Sequence, residues 1–356
     1  MNLKRFFAAL KAPRTLMSLL TVVVLVIILV LSRDELRQAW SLLGQANLWL
    51  LALLIPLQIM VYFAGGEMIF SYLRQKKILN HVSRFEQTRI ALELNLVNHI
   101  FPSGGVSGIS YTTWRLHKLG VNSAKSTFAQ MIRYVTGFIA LVLLLIVAVV
   151  GLAIDGGVNR YIVASSFLLV LVIVGLTFAL IVMFSSEKRM RDTAAWVAKA
   201  SNSFLRIITF GRLKRAVSSI SVEKFFSELH VDFQELAADK RLLIKPLLWG
   251  VVFTLFDIAM FMVAFWSLGA TVNPAILLVG YGVAGLASLV AFTPGGAGVY
   301  EVIMIFFLTM AGVTPSTAIA GIVLTRVILL SGTIIFGYVF YQHALIKYGK
   351  RTDTPV

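Results

Sequence analysis

Phe101-Pro102-Ser103-Gly104-Gly105-Val106-Ser107-Gly108 and Phe292-Thr293-Pro294-Gly295-Gly296-Ala297-Gly298 are two glycine-rich breaks, each set inside an apolar stretch of a 356-residue chain. Proline removes a backbone donor and clustered glycines end helices, so each stretch should form two short helices around a non-helical tip. The first such hairpin is placed near residues 90–114 and the second near 275–311.

The surroundings of the tips repeat as well. Gly105 precedes the Gly120-Val121 pair by 15 residues, and Gly296 precedes Gly312-Val313 by 16. Arg133 follows the first pair by 13 residues and Arg326 follows the second by 14. Upstream, Glu67 lies 37 residues before Gly104 and Asp257 lies 38 before Gly295. The order acid, broken hairpin, Gly-Val, arginine therefore occurs twice.

Over the whole chain, 58% of the residues are hydrophobic and 13% charged, a balance that excludes a water-soluble domain of this size. The apolar residues gather into runs at Leu16 to Leu31, Trp49 to Phe63, Phe128 to Val150, Tyr161 to Phe184, Leu247 to Leu268 and Ala318 to Tyr341. Most are long enough to cross a hydrocarbon core about 30 Å thick. Backbone polar groups in lipid must be paired within the segment, so the runs should be helices. The expected fold is an all-α polytopic membrane protein with six full transmembrane helices and two re-entrant helical hairpins. The first run follows Lys4, Arg5, Lys11 and Arg14, but no small-x-small cleavage pattern follows it, so it reads as a retained helix.

The net charge of +16 lies mostly in loops on one side. That asymmetry places both termini in the cytoplasm by the positive-inside rule, and gives no support to a nucleic-acid role. Basic residues flank the first hairpin, whereas Gly269 to Pro274 and Val313 to Thr317 flank the second without charge. The hairpins should thus enter from opposite faces, as in the inverted-topology repeats of transporters. Residues 1–155 form the first repeat and 156–184 begin the second. Residues 246–341 complete it, and 342–356 are a cytoplasmic tail. Between them, residues 185–245 hold 12 Lys or Arg against 7 acids. They read either as amphipathic helices on the inner leaflet or as a plain helical linker.

An ionisable residue inside a span costs at least about 2.5 kcal/mol, which makes Glu67, Arg133, Asp257 and Arg326 candidates for substrate binding. Arg133 is expected near the cytoplasmic start of its helix and Arg326 near the outer start of its own. Each guanidinium could hold a phosphate or carboxylate. Alternatively, Glu67 pairs with Arg133 and Asp257 with Arg326 as internal ion pairs. The tips, with Ser103, Gly104, Gly105 and Ser107 in one and Thr293, Gly295 and Gly296 in the other, could form an anion-binding nest of backbone N–H groups, or serve only close helix packing. Glu301 leaves the second tip. Glu93, Asn95, Asn98 and His99 make the helix entering the first tip polar, with Asn95 and His99 on one face.

Nothing points to an enzyme. Gly105-Val106-Ser107-Gly108 lacks nucleophile-elbow spacing, no phosphate-binding loop occurs, and the five histidines form no metal motif. With no cysteine, thiolate sites and disulfides are excluded. No cofactor and no metal are expected.

The chain resembles the flippase-like transmembrane domain of the lysylphosphatidylglycerol synthase family, from the first helix to Tyr341. The resemblance is carried by Asn98-His99-Ile100-Phe101-Pro102, the Gly120-Val121 to Arg133 spacing, and Pro294-Gly295-Gly296-Ala297-Gly298-Val299-Tyr300-Glu301. In that family the second motif ends in an acid, here Glu301. The first motif usually does too, but Ile109 and Ser110 stand there. The resemblance implies a lipid flippase of a bacterial inner (cytoplasmic) membrane, without the aminoacyltransferase domain, moving a phospholipid, aminoacyl-phospholipid or polyprenyl-linked sugar. Anionic or aminoacylated lipid headgroups would be its partners, along with a second copy in a homo-oligomer and lipid-modifying or glycosyltransferase enzymes. An ion-coupled small-solute carrier and a membrane transferase are the competing readings.

Overall fold

The computed structural model describes residues 46–348 apart from 102–105, 155–159, 209–217 and 292, with isolated positions 30, 33, 34, 37, 40, 41 and 44 before them. The expected span Leu16 to Leu31 lies outside the described residues. Every described element is helical or a turn. The helices are α1 (Leu48–Ala52), α2 (Leu54–Gln75), α3 (Arg84–Ile100), α4 (Val106–His117), α5 (Ser123–Ile154) and α6 (Arg160–Phe184). They continue with α7 (Glu187–Ile208), α8 (Ser219–Ala238), α9 (Ile244–Ser267), α10 (Pro274–Val290), α11 (Val299–Met310) and α12 (Pro315–Tyr348).

Five of the six expected spans fall among the described residues, at Leu48–Gln75, Ser123–Gly151, Ile162–Phe184, Lys240–Ser267 and Pro315–Tyr348. At 1.5 Å per residue each is long enough to cross the bilayer, whereas α10 and α11 are too short to do so alone. The chain is a multi-pass membrane protein. Both glycine breaks divide a pair of packed helices, α3 with α4 and α10 with α11. The pairs are longer than the sequence suggested at the start of the first, because Ser83 caps α3 by accepting from Glu86 N at 3.2 Å. Asn273 does the same for α10, with Pro274 in the first turn.

The two halves pack across each other. Helices α2 and α9 lie side by side at the centre, joined by Leu54, Val61, Met260 and Val263. Helix α3 of the first half then packs on α12 of the second, and α10 of the second on α5 of the first. Small residues permit these crossings: a Cβ on Gly250 would meet Thr136 O at 3.1 Å, and one on Gly337 would meet Leu96 Cβ at 2.9 Å.

Matched helix ends prove more informative than matched spacings. Helices α4 and α11 close identically: Val121 N donates to Leu116 O at 3.1 Å and Val313 N to Leu308 O at 3.0 Å, with Gly120 and Gly312 at φ of 84° and 92°. This is the glycine-terminated cap in which a left-handed residue lets the chain bond back to the last turn. Helices α2 and α9 close the same way through Ile78 N to Leu73 O and Ala270 N to Phe265 O. All these matched positions differ by 192 in number, which fixes the register between the halves.

The segment between the halves forms α7 and α8, which pack on each other. Met190, Leu229, Phe226 and Phe233 join the hydrophobic cluster around Phe128 and Phe184, so α7 and α8 cap the basic ends of α5 and α6. Part of their apolar surface is therefore used within the protein.

Candidate functional site

The second tip is built from glycines in the left-handed region, with Gly295, Gly296 and Gly298 at φ of 60°, 71° and 84°. Side chains rarely adopt that backbone. Space requires glycine too: a Cβ on Gly295 would stand 2.8 Å from His99 Cδ2, and one on Gly296 would stand 2.6 Å from Ser288. The last turn of α3 thus meets the second tip at His99. The His99 ring donates from Nδ1 to Asn95 O at 2.7 Å, leaving Nε2 as its acceptor. Thr293 is exposed, and its carbonyl accepts from Gly296 N at 3.1 Å.

Beside this tip Arg326 donates from Nε to Glu301 at 2.6 Å and from Nη2 to Gly295 O at 3.1 Å, while its guanidinium lies 4.7 Å from the Tyr300 ring centre. Glu301 also accepts from Gly298 N at 2.6 Å. The first turn of α11 therefore already holds an anion, the chain's own carboxylate, as the helix dipole favours. At the second tip the expected nest is filled from within.

Arg133 is situated otherwise. No carboxylate pairs with it among the described residues. It lines a cavity of about 220 Å³ between α2, α5, α9 and α10, with Met68, Tyr134, Phe253, Thr254 and Tyr281. Tyr281, on the wall of this cavity, lies in electrostatic reach of both Arg133 and Asp257. Thr254 is shared with a second hollow of about 400 Å³ walled by Leu144, Val147, Leu255 and Leu278. Val147 and Leu255 are 69% and 51% exposed, so this hollow opens sideways on the apolar surface.

Three expectations are corrected. The pairs Glu67 with Arg133 and Asp257 with Arg326 do not form: Glu67 is buried between Arg74 and Arg84, and Arg326 takes Glu301. The cause is register. Counting from the matched caps, Asp257 corresponds to Gly65 and Glu67 to Ala259, so the two acids are two residues apart and project about 200° from one another. Likewise Arg133 corresponds to Thr325, one residue and about 100° away from Arg326. Nor do the arginines sit near helix starts: they lie ten residues past Ser123 and eleven past Pro315, roughly 15 Å along.

Ser103, Gly104 and Gly105 lie outside the described residues. Asn98 accepts from Gly108 N at 3.1 Å, tying α3 to the first turn of α4, and Ser107 Oγ donates to Val97 O at 3.4 Å. Glu93 is fully buried, accepting from Tyr111 at 2.9 Å with Arg115 Nε at 3.4 Å. Arg115 also bonds Glu86 and stacks 4.1 Å from the Tyr348 ring centre. Glu67 and Glu93 therefore take their partners from Arg74, Arg84 and Arg115, in two separate sets of ion pairs, and not from Arg133. Arg115 and Tyr281 escaped sequence reading. Arg115 looked like one more loop cation, and the signal for Tyr281 was a lone hydroxyl-bearing ring in an apolar helix, which needs a partner when buried.

Residues 16–337 match the model of the lysylphosphatidylglycerol synthase TM region. The chain belongs to this family. A relative within reach is a UPF0104 membrane protein of Methanothermobacter thermautotrophicus, 26% identical over 65% of this chain and 67% of that protein. No solved structure matches. For a member of the lysylphosphatidylglycerol synthase TM region family, the asymmetry between the two arginines is the feature of this site that demands a chemical account.

Proposed function

We propose that the protein is a lipid flippase that carries a polar headgroup past Arg133 while the acyl chains stay in the bilayer. The observation that carries this reading is a guanidinium without a counter-ion among the described residues, in a cavity that shares its Thr254 wall with a hollow open at the side. A cation held so deep in a membrane protein is costly unless an anion joins it. The phosphate of a phospholipid, an aminoacyl-phospholipid or a polyprenyl-linked sugar would supply that anion in the planar geometry arginine favours. Asp257, reached through Tyr281, would receive a cationic group on the same head.

A side path from the Arg133 cavity to lipid is what would distinguish this reading from a small-solute carrier, which has no use for one, and the neighbouring open hollow supports it. In our reading the basic face, with α7 and α8, is cytoplasmic, as are both termini, and six helices span the membrane. The pairs α3–α4 and α10–α11 are re-entrant and enter from opposite faces, meeting where His99 touches Gly295. Transport, not catalysis, is the task, and a bacterial inner membrane with lipid-modifying or glycosyltransferase partners is the setting that fits it.

The test uses purified protein in liposomes with headgroup-labelled lipids of anionic, zwitterionic and aminoacyl type. Labelled lipid should equilibrate between leaflets faster than in empty vesicles, and Arg133→Ala should slow it at least tenfold. Rates equal to empty vesicles for every lipid would end the proposal.

A further inference from the structure

A second apolar hollow, of about 400 Å³, lies between α5, α6 and α8, walled by Phe128, Val135, Ile139, Leu180, Phe184 and Phe233. Its lining is apolar apart from Thr177 and Lys240. It is distinct from the Arg133 cavity. On α5 it uses positions 128, 131, 132, 135 and 139, whereas the cavity uses 133, 134, 137, 138 and 141. At 100° per residue these sets lie on opposite faces of the helix.

Its length is informative. From Phe128 to Ile139 the hollow follows eleven residues of α5, roughly 16 Å, or about half of a 30 Å hydrocarbon core. It therefore runs the depth of one leaflet. The end at the basic face is marked by Lys240, which opens the apolar span Lys240–Ser267 and is exposed without an ion pair among the described residues. Arg241 and Lys245, close by, are exposed too. An apolar trough one leaflet deep with an ammonium group at its mouth complements one kind of molecule. The tail would lie among the side chains of α5, α6 and α8, and the phosphate would meet Lys240.

We infer that this hollow holds one acyl chain of an anionic phospholipid from the leaflet on the basic face, as a resident lipid that fastens α8 to the α5–α6 pair. The site stands whether or not the Arg133 cavity transports lipid. Because Phe184 and Phe233 stack at 5.9 Å across its end, the lipid would extend a junction that the protein has begun.

The experiment titrates detergent-purified protein with dioleoyl phosphatidylglycerol and, separately, dioleoyl phosphatidylcholine. Native mass spectrometry reads bound lipid, and thermal melting reads stability. We expect one phosphatidylglycerol retained per chain and a melting point raised by several degrees, with phosphatidylcholine doing little. Lys240→Glu should weaken retention at least tenfold. Ile181→Trp, at a half-exposed position on the wall, should fill the trough and abolish retention. Equal retention of both lipids, or undiminished binding by Lys240→Glu, would each overturn the inference. Should Ile181→Trp fail to fold, the exposed Lys240→Glu still decides.

Discussion

Arg133 and Arg326 lie ten and eleven residues into corresponding helices of the two halves, yet among the described residues one has no acidic partner and the other is held by a carboxylate, a carbonyl and an aromatic ring. The difference traces to single residues. Glu301, which holds Arg326, corresponds by the matched caps to Ile109. Gln130 there donates to the Ile109 carbonyl at 3.3 Å, so the space near the first tip is taken by an amide and not by an acid. The two cations occupy non-equivalent positions one residue apart in register, and of the two only Arg326 is neutralised by an acid among the described residues. In the function proposed above, Arg326 would belong to architecture and Arg133 to binding.

The sharpest break between the two comes from truncating each. Arg133→Ala should nearly abolish lipid movement while leaving thermal stability unchanged or higher, since an uncompensated buried charge is removed. Arg326→Ala should instead lower stability by roughly 3 kcal/mol, because Glu301 would keep its charge without its partner. Melting curves and transport rates on the same preparations check both. If Arg133→Ala melts as low as Arg326→Ala, the contrast drawn here is wrong.

The comparison can also be sharpened by making the halves alike. Gly65 stands where the second half has Asp257, and a Cβ there would lie 3.7 Å from Arg133 Nη2 and 3.3 Å from the Phe253 ring. Gly65→Asp should pair the bare guanidinium after a small shift of that ring. The variant is expected to fold, and to lose most transport because its own carboxylate occupies the anion position. Gly65→Asn, which adds the same bulk without charge, should lose much less.

A smaller effect is expected where charges are already shared. Arg115 serves Glu86 and Glu93 together; Glu93 is fully buried, so water cannot replace the guanidinium there, whereas Glu86 is partly exposed. Arg115→Ala should cost on the order of 3 kcal/mol. Glu93→Gln keeps the Tyr111 contact and should cost about 1 kcal/mol. Denaturation of the two variants side by side gives the ratio.

Much of the architecture was legible in the sequence because it follows from coarse features. Apolar runs, glycine breaks and the Gly-Val pairs announce helices, tips and caps without reference to direction around a helix. The site was only half legible, because partnership depends on that direction. Spacings of 13 and 14 residues look equivalent, yet the extra residue turns Arg326 by about 100° towards Glu301. The matching of Glu67 to Asp257 as equivalent acids failed for the same reason, with two residues in place of one. What could have warned of it was the absence of an acid after the first tip, where Ile109 and Ser110 stand.

The last and smallest effect lies at Glu67, the acid that spacing first matched to Arg133. Its two arginines differ in setting: Arg74 is largely enclosed, whereas the Arg84 side chain is 58% exposed. Water and salt screen the exposed partner, so Arg84→Ala should cost no more than about 1 kcal/mol. Arg74 also holds Gln87, which bonds Val82 O at 2.9 Å and so fixes the loop into α3. Arg74→Ala should therefore cost more than Arg84→Ala, and only the Arg84 contribution should fade when melting is repeated in high salt. Neither change should alter lipid movement beyond its effect on the amount of folded protein, because Glu67 faces away from the cavity that Arg133 lines.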